Sequence, residues 1–571
     1  MMWKSTKSLF GTRAERTARA LLGLASVAAL FGALGCASAD SNKNITPLVY
    51  DCDTNPALSP DPGDGTVCGA GDDTIGQEPT FPADDEVCAT LQATRFADDM
   101  HPPAEDPNAN GTDLDTAAIQ AALIACKAST ATTGRHVVKL VANGNNNAFV
   151  AAHLVVDSTV LWVDQGVTLY VSRNPNLFQA TGSCGVIGIN DSSACQDFLG
   201  ITGTSPGVVG LGTIDGQGGE PLIGHPYSWW QMSYALREID GSIGNPTLVD
   251  VLTGTTGFLL YKITLHNSPK FHVKLASAPA DGVCDSPGKG FRVWGITLLT
   301  PSKWTNSQGL LLSPSFARNT DGVDPGSNNI ATCGVIACNT ISTGDDHLAI
   351  KGGHLVSQLV IAHNHFGTGH GMSIGSETYG DRNNGTGVDG IDIHDLTIDA
   401  DSRPVGFDAQ PGDFNGIRIK SDESRGGTVN NVKLTDICMR DMNNTILIST
   451  AYNPLFAGTS YPNFKSLEFH NVHHVTCGNL VQPVVTLDGF SAVRPAGPIT
   501  LDNVVVDNVG PQAVAAQFAN IVLGPNASNF SNFIPTVTDV TITNNVTAPS
   551  NPKRCVFPTL PAPHPPAGWS Y

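Results

Sequence analysis

Three carboxylates fall within one short span of the chain: Asp321 in NTDGVDP, and Asp345 with Asp346 in TGDDHLAIK. Twenty-four residues separate Asp321 from Asp345, and another 24 separate Asp346 from His370 in GTGHGMSIGS. That period is too long for a helix or hairpin and suits a solenoid of stacked coils. Paired acids in a groove, with no metal-ligand spacing around them, fit hydrolysis of a glycosidic bond, which needs one protonated carboxyl and one ionised carboxylate. Clustering supplies the difference, because like charges disfavour joint ionisation and raise the pKa of at least one member. Further on, alternation in GIRIK sends Ile417 and Ile419 to one side of a strand and Arg418 and Lys420 to the other, which by itself is the pattern of a half-buried strand with two cations on its outer face.

The elements that must position these residues read as strands. An apolar, any, apolar, any, Asn-or-Asp pattern recurs eight times, ending at Asn267, Asn339, Asn364, Asp395, Asp436, Asn471, Asn503 and Asn544. The alternating apolar residues face a shared interior, and the terminal amide or carboxylate sits where the chain turns. Stations 25 to 41 residues apart from Asn339 to Asp436 imply coils with loops grown out of single turns. A right-handed parallel β-helix accounts for this better than a β-sandwich, whose strands recur every 8 to 12 residues or so. One helix stands out in DLDTAAIQAALIACK, with Asp115 or Thr116 as cap and Ile119, Leu123 and Cys126 on one face. It is expected to lid the open N-terminal end of the solenoid. Adjacent strand residues face opposite ways, so Asp345 and Asp346 share a groove only if the chain bends at Gly344.

Composition agrees with a strand-and-turn protein: 571 residues, 14% charged, with 60 Gly and 37 Pro. Five cations ahead of the apolar run Ala20 to Gly35, then Ala37, Ser38 and Ala39, read as a secretory signal over residues 1–39. Cys36 offers an imperfect alternative, a lipid anchor at the cell surface. Residues 40–85 read as a poorly ordered linker, 86–550 as the β-helix catalytic domain, and 551–571 as a Pro-rich tail that Cys555 pins. The mature chain is expected to be secreted and monomeric, with no transmembrane span. Removing residues 1–39 takes away five cations and Glu15, so the net charge of −20 becomes −24. Nucleic acid is therefore excluded as a partner, and an anionic substrate has to be held by cations inside the site, since distant charges are screened beyond about 8 Å. Setting Cys36 aside leaves 12 of the 13 cysteines, an even count that suits disulfides. Cys184 with Cys195, Cys88 with Cys126, and Cys52 with Cys68 would close short loops, while Cys333 and Cys338 either bridge or stay buried as thiols.

NTDGVDP, TGDDHLAIK, GHGMSIGS and GIRIKS, in that order, resemble the four signature segments of the polygalacturonases, glycoside hydrolase family 28. The likeness extends to GLGTIDGQGG, SWW and NSPKFHV, is dense from Gly200 to Tyr452, and is nearest to the secreted bacterial endo-acting members. It implies inverting hydrolysis of α-1,4 bonds in polygalacturonate, the backbone of pectin, without cofactor or metal. Asp345 would protonate the leaving oxygen, Asp321 and Asp346 would hold and deprotonate water, and His370 would tune Asp345 or position a sugar hydroxyl. Arg418 and Lys420 would clamp a substrate carboxylate. Asn319 would bond a sugar hydroxyl or serve as a turn amide, Tyr452 would pack on a sugar or on the rim, and Asp324 would stabilise its own turn. Neighbouring coils about 4.8 Å apart allow carboxyls about 6.5 to 9.5 Å apart, the inverting separation. His347, His363 and His365 are structural on this reading. The 48 residues from His370 to Arg418 leave open whether 378–413 are loops or a whole extra coil, and loops there could favour exo-action. A calcium-dependent pectate lyase and a non-catalytic β-helical adhesin share the expected fold and are the other readings.

Overall fold

The computed structural model describes residues 68–98, 102–130, 134–236, 244–301, 304–306, 311–312, 317–327, 329–379, 386–400, 414–452, 458–477, 483–536, 539–558, 560–561 and 569–570. The signal sequence, Cys36 and the linker up to residue 67 lie outside them, as do 380–385 and 401–413 of the expected insertions and part of the tail.

The described chain winds as a parallel β-helix. One wall carries the strands Leu154–Asp157, Leu199–Thr202, Val249–Val251, Val273–Leu275, Val323–Pro325, Leu348–Ile350, Met372–Ile374, Asn415–Lys420, Asn444–Ser449, Val484–Asp488 and Val514–Gln517, each paired in parallel with the next. A larger sheet forms the other walls. Every second residue points inward: Val273, Val323, Leu348, Met372 and Ile417 stand in one interior column, fully or almost fully buried. Burial of these stacks is the main stabilising term, roughly 1.5–3 kcal/mol per aliphatic side chain before chain entropy is set against it. The outward column between them is equally regular, because stacked parallel strands keep residues of one register on one face. It runs Asp250, Lys274, Asp324 by direct pairing, and later Ala349, Ser373, Arg418.

The strand Met372–Ile374 pairs directly with Asn415–Lys420, setting Ser373 opposite Arg418. The long interval before Arg418 is therefore one coil, and the clamp residues occupy the next rung of the same wall. The Asn and Asp stations also behave as turn residues, with left-handed backbone at Asn267, Asp395, Asp436, Asn471 and Asn503. In two coils the register slips by one: Cys338 and His363 adopt that conformation, while Asn339 and Asn364 are buried and joined, Asn339 Nδ2 donating to Asn364 Oδ1 at 2.9 Å.

The helix Thr116–Lys127 buries Ile119, Leu123 and Cys126, the expected face. Its capping differs from expectation. Asp115 makes no side-chain cap; its carboxylate instead accepts from the Val150 N–H at 2.8 Å, and Thr116 Oγ1 accepts from the Ala152 N–H at 2.8 Å. Strand donors at the open end of a sheet need partners more urgently than a helix terminus that solvent can reach. Disulfides join Cys88 to Cys126 and Cys184 to Cys195 as the spacing suggests, and Cys438 to Cys555 holds the tail. Cys68 bonds Cys338 rather than Cys52, and Cys333 bonds Cys284. These pairs span 270 and 49 residues, bridges between coils that loop length cannot reveal. Residues 68–85, assigned from sequence to the linker, pack on the wall of the solenoid: Ile75 is fully buried and Phe81 stacks on Trp162 with ring centroids 5.4 Å apart.

Candidate active site

Five consecutive rungs of the wall, from the turn before Val323–Pro325 to the turn after Asn444–Ser449, bring the sequence candidates together. The backbone N–H of Asn319 donates to Asp345 Oδ2 at 2.9 Å, and the N–H of Asp346 donates to Asp345 Oδ1 at 3.0 Å. The chain bends at Gly344 and Asp345, as sharing a groove requires. A side chain at 344 would collide with Thr320 Oγ1 at 2.5 Å and Ala317 Cβ at 2.7 Å, so only glycine lets the preceding coil close on this bend. His370 Nδ1 lies 2.9 Å from Asp345 Oδ1, and its N–H donates to the Asp345 carbonyl at 2.8 Å. Gly371 beside it has φ +84°, and a Cβ there would lie 2.0 Å from the Asn415 carbonyl oxygen. One polar atom each of Asp345, Asp346 and His370 lie within 4.8 Å of one another.

Asp346 is buried and held by both cations: Arg418 Nη2 donates to its Oδ1, and Lys420 Nζ donates to its Oδ2 at 3.0 Å. Arg418 Nε also donates to Ser373 Oγ at 3.1 Å. The expected substrate clamp thus has a protein carboxylate in its grip. Alternation put these cations outward correctly, but it carried no information that Asp346, two rungs back, would face them. Lys420 Nζ also sits 4.8 Å from the centre of the Tyr452 ring, which is 40% exposed at the rim. That cation, with Arg418, draws the phenol pKa down against the effect of burial. Burial and Arg418 together lower Lys420 to about 8.

Asp321 is buried with Lys351 Nζ 3.8 Å from its Oδ2, and its Oδ1 has no hydrogen-bond partner among the described residues. Burial, then Asp324 and Asp345, raise its pKa well above the carboxylate range. Burial also acts upward on Asp345, but His370 and the Asn319 N–H outweigh it and hold that carboxyl low. The two acids are therefore driven apart, one towards the protonated form and one towards the ionised form. Asp345 and His370 are also the accessible pair, with side chains 19% and 23% exposed against 3% for Asp321 and Asp346.

Sequence reasoning placed Asp324 at its own turn, and the structure corrects this. Asp324 stands within the strand Val323–Pro325, buried, with neither carboxylate oxygen hydrogen-bonded among the described residues and its pKa pushed up to about 7 by burial. Lys351 was missed. It lies between Asp321 and Glu377, 3.4 Å from Glu377 Oε2, and those acids with Asp324 raise its pKa despite burial. Its signal was present: in Leu348, Ala349, Ile350, Lys351 the alternation sends Lys351 outward, as in the Arg418 and Lys420 strand. Further along the groove, Lys274 Nζ donates to Asp250 Oδ2 at 2.9 Å, and burial with the nearby Asp197 raises Asp250 to about 7. His347 is structural, buried with Nε2 2.9 Å from the Gly367 carbonyl and lowered to about 4 by burial.

Such an arrangement can donate a proton, accept one and neutralise an anionic sugar within a single groove. The profile of glycosyl hydrolases family 28 matches residues 178–528. A polygalacturonase of Ralstonia nicotianae is 35% identical over 503 residues, covering 82% of this chain and 88% of its own. An endo-polygalacturonase of Pectobacterium carotovorum subsp. carotovorum is 36% identical over 395 residues, covering 68% of this chain and 83% of its own. The solved polygalacturonase from Erwinia carotovora ssp. carotovora superposes with a TM-score of 0.57 at 28% identity, covering 83% of this chain and 99% of that one.

Proposed function

The chain belongs to glycosyl hydrolases family 28, and from that premise we propose that it is a secreted, monomeric polygalacturonase that cuts α-1,4 bonds inside polygalacturonate chains with inversion. The observation that carries this reading is the groove itself, where buried acids of two coils meet Arg418, Lys420 and Lys351. Those cations give an acidic protein a local field that favours a polyacid. The β-helix between residues 86 and 550 is its catalytic domain.

Asp345 protonates the leaving glycosidic oxygen. Its greater exposure and its bond to His370 support this: His370 Nδ1 can pass a proton across 2.9 Å to Oδ1 as a bound sugar displaces water and disfavours the carboxylate charge. Asp321, once its own proton has left to solvent and Lys351 beside it holds the carboxylate, takes the proton of the attacking water on its unpartnered Oδ1. Asp345 and Asp346 offer polar atoms within 4.8 Å of each other, and Asp321 of the preceding coil feels the charge of Asp345, so the water is assigned to the space these three acids border. Asp346, fixed by two cations, orients that water and carries a constant negative charge opposite the developing oxocarbenium ion. Once a galacturonate carboxylate enters, Arg418 and Lys420 are shared between it and Asp346, and Tyr452 packs against the sugar at the rim. Asn319 acts through its backbone on Asp345.

One observation favours a second reading. In the ligand-free site Asp321 is the carboxyl held protonated and Asp345 the one held ionised, which would suit exchange of the acid and base roles. Both readings require initial release of the β-anomer from an α-linkage, and proton NMR of the first product tests that. Retention would overturn them together. A steep early fall in viscosity per reducing end formed identifies internal cutting, whereas a fall that merely tracks product identifies terminal cutting. The relative named endo-polygalacturonase supports the former, and the disulfides support export to an oxidising compartment.

A further inference from the structure

On a different wall from the groove, three side chains far apart in sequence converge on one point. Asp72 Oδ2 lies 2.9 Å from His363 Nε2 and 3.6 Å from His394 Nε2, and all three atoms fall within 4.8 Å of one another. We propose that Asp72, His363 and His394 form a binding site for a zinc-class divalent ion, which fastens the N-terminal segment to two successive coils.

The separations fit the chemistry. Tetrahedral zinc with ligand bonds near 2.0–2.1 Å places its ligand atoms about 3.3 Å apart, and the two carboxylate-to-imidazole distances of 2.9 and 3.6 Å bracket that value. Two imidazoles and one carboxylate suit zinc, cobalt or nickel; calcium and magnesium prefer an all-oxygen shell. The rings stand edge-on at 90°, so their Nε2 atoms approach one oxygen from different directions. Thr74 Oγ1, 3.0 Å from His394 Nε2, marks the side on which a fourth ligand or water would sit.

An outer partner is already in place. Asp395 Oδ2 lies 3.2 Å from His394 Nδ1, the carboxylate-to-histidine contact that fixes ring orientation and tautomer in metal sites. Asp72 is held too, its Oδ1 accepting from the Thr74 N–H at 2.9 Å and from the Thr74 hydroxyl at 2.6 Å, which leaves Oδ2 for the histidines. The backbone explains why His363 reaches the point. It occupies the left-handed turn position that Asp395, Asp436, Asn471 and Asn503 hold in later coils, and it is the one histidine there among the described residues. Ala362 pairs with His394 across adjacent rungs, so the two imidazoles come from consecutive coils. The disulfide Cys68 to Cys338 anchors the segment four residues before Asp72 to the same wall. The side chains are 13–23% exposed, so an ion can enter from solvent.

The test uses the full mature chain, stripped with chelator and titrated with zinc chloride by calorimetry and by thermal unfolding. One zinc per chain and a rise in Tm that scales with free zinc are expected. His394→Ala should weaken binding at least tenfold and abolish the Tm response, with polygalacturonate hydrolysis within about twofold of wild type, since outer-wall ligands lie away from the groove. Asp72→Asn, nearly isosteric, serves the same purpose if the alanine variant fails to fold. His370→Ala separates the active-site cluster of Asp345, Asp346 and His370 and should leave zinc binding unchanged. No zinc binding at micromolar concentration, binding that survives both His394→Ala and Asp72→Asn, or binding that disappears in His370→Ala would each overturn the proposal.

Discussion

Replacing Asp345 by Asn and, separately, Asp321 by Asn, and assaying each on two leaving groups, tests the acid and base assignment directly. An amide at 345 has one accepting oxygen, so it keeps one of the Asn319 and Asp346 N–H groups that lie 2.9 and 3.0 Å from the two native carboxylate oxygens and turns its NH2 towards the other; Tm of the variant is therefore measured beside its activity. Arg418 and Lys420 contact Asp346 rather than Asp345, so KM for polygalacturonate is expected to stay within about threefold. What disappears is the proton for the leaving oxygen. Positioned general acid catalysis contributes about 10² to 10⁴ in rate, so kcat on the polymer should fall by that factor, or about 3–5 kcal/mol of barrier. On an oligogalacturonide carrying a nitrophenyl leaving group the loss should shrink to about tenfold or less, because nitrophenolate departs without a proton. Asp321→Asn should lose activity equally on both substrates, since water must be activated in either case. Reducing-end release and nitrophenolate absorbance measure the two rates. If Asp321→Asn is the variant rescued by nitrophenyl while Asp345→Asn is not, the roles are exchanged. If neither variant falls more than a few-fold, the groove is not the catalytic centre.

Asp324→Asn should stabilise the fold in a pH-dependent way. The folded-state pKa of Asp324 is raised to about 7 from an ordinary 3.8, so the stabilisation held by its protonated form is complete below about pH 4 and is lost as pH rises through about 7. The variant's advantage in urea unfolding should therefore grow between those limits, to a ceiling of about 4 kcal/mol for a shift of roughly three units; an advantage independent of pH would contradict the account. Lys351→Met removes the cation 3.8 Å from Asp321 and 3.4 Å from Glu377. It should cost about 3 kcal/mol, the penalty for leaving buried acids unpaired, and shift the pH–rate profile of kcat to higher pH; an unchanged profile would show that Lys351 plays no part in setting Asp321. Changing Cys88 and Cys126 together to Ser frees the lid helix from a loop of 38 residues. Chain entropy predicts a loss of about 4 kcal/mol, read as a lower urea midpoint with kcat unchanged.

Much of this molecule is legible because a solenoid is nearly one-dimensional. Alternation alone fixed which of Ile417, Arg418, Ile419 and Lys420 face inward, and the 24-residue spacing put Asp321, the Asp345 and Asp346 pair and His370 on successive coils. The lid helix and its buried face followed from periodicity, and the glycine before two adjacent acids announced the bend. Pairings between coils were decided only by the tertiary structure. Cys68 with Cys338, Asp72 with His363 and His394, and Asp346 with Arg418 and Lys420 join residues 72 to 322 apart whose meeting depends on how far each turn bulges. Spacing records that two residues share a wall, but not whether their side chains lean together across it. The protonation order of Asp321 and Asp345 belongs to the same class, because it arises from burial and neighbouring charge, and neither quantity exists until the coils have stacked.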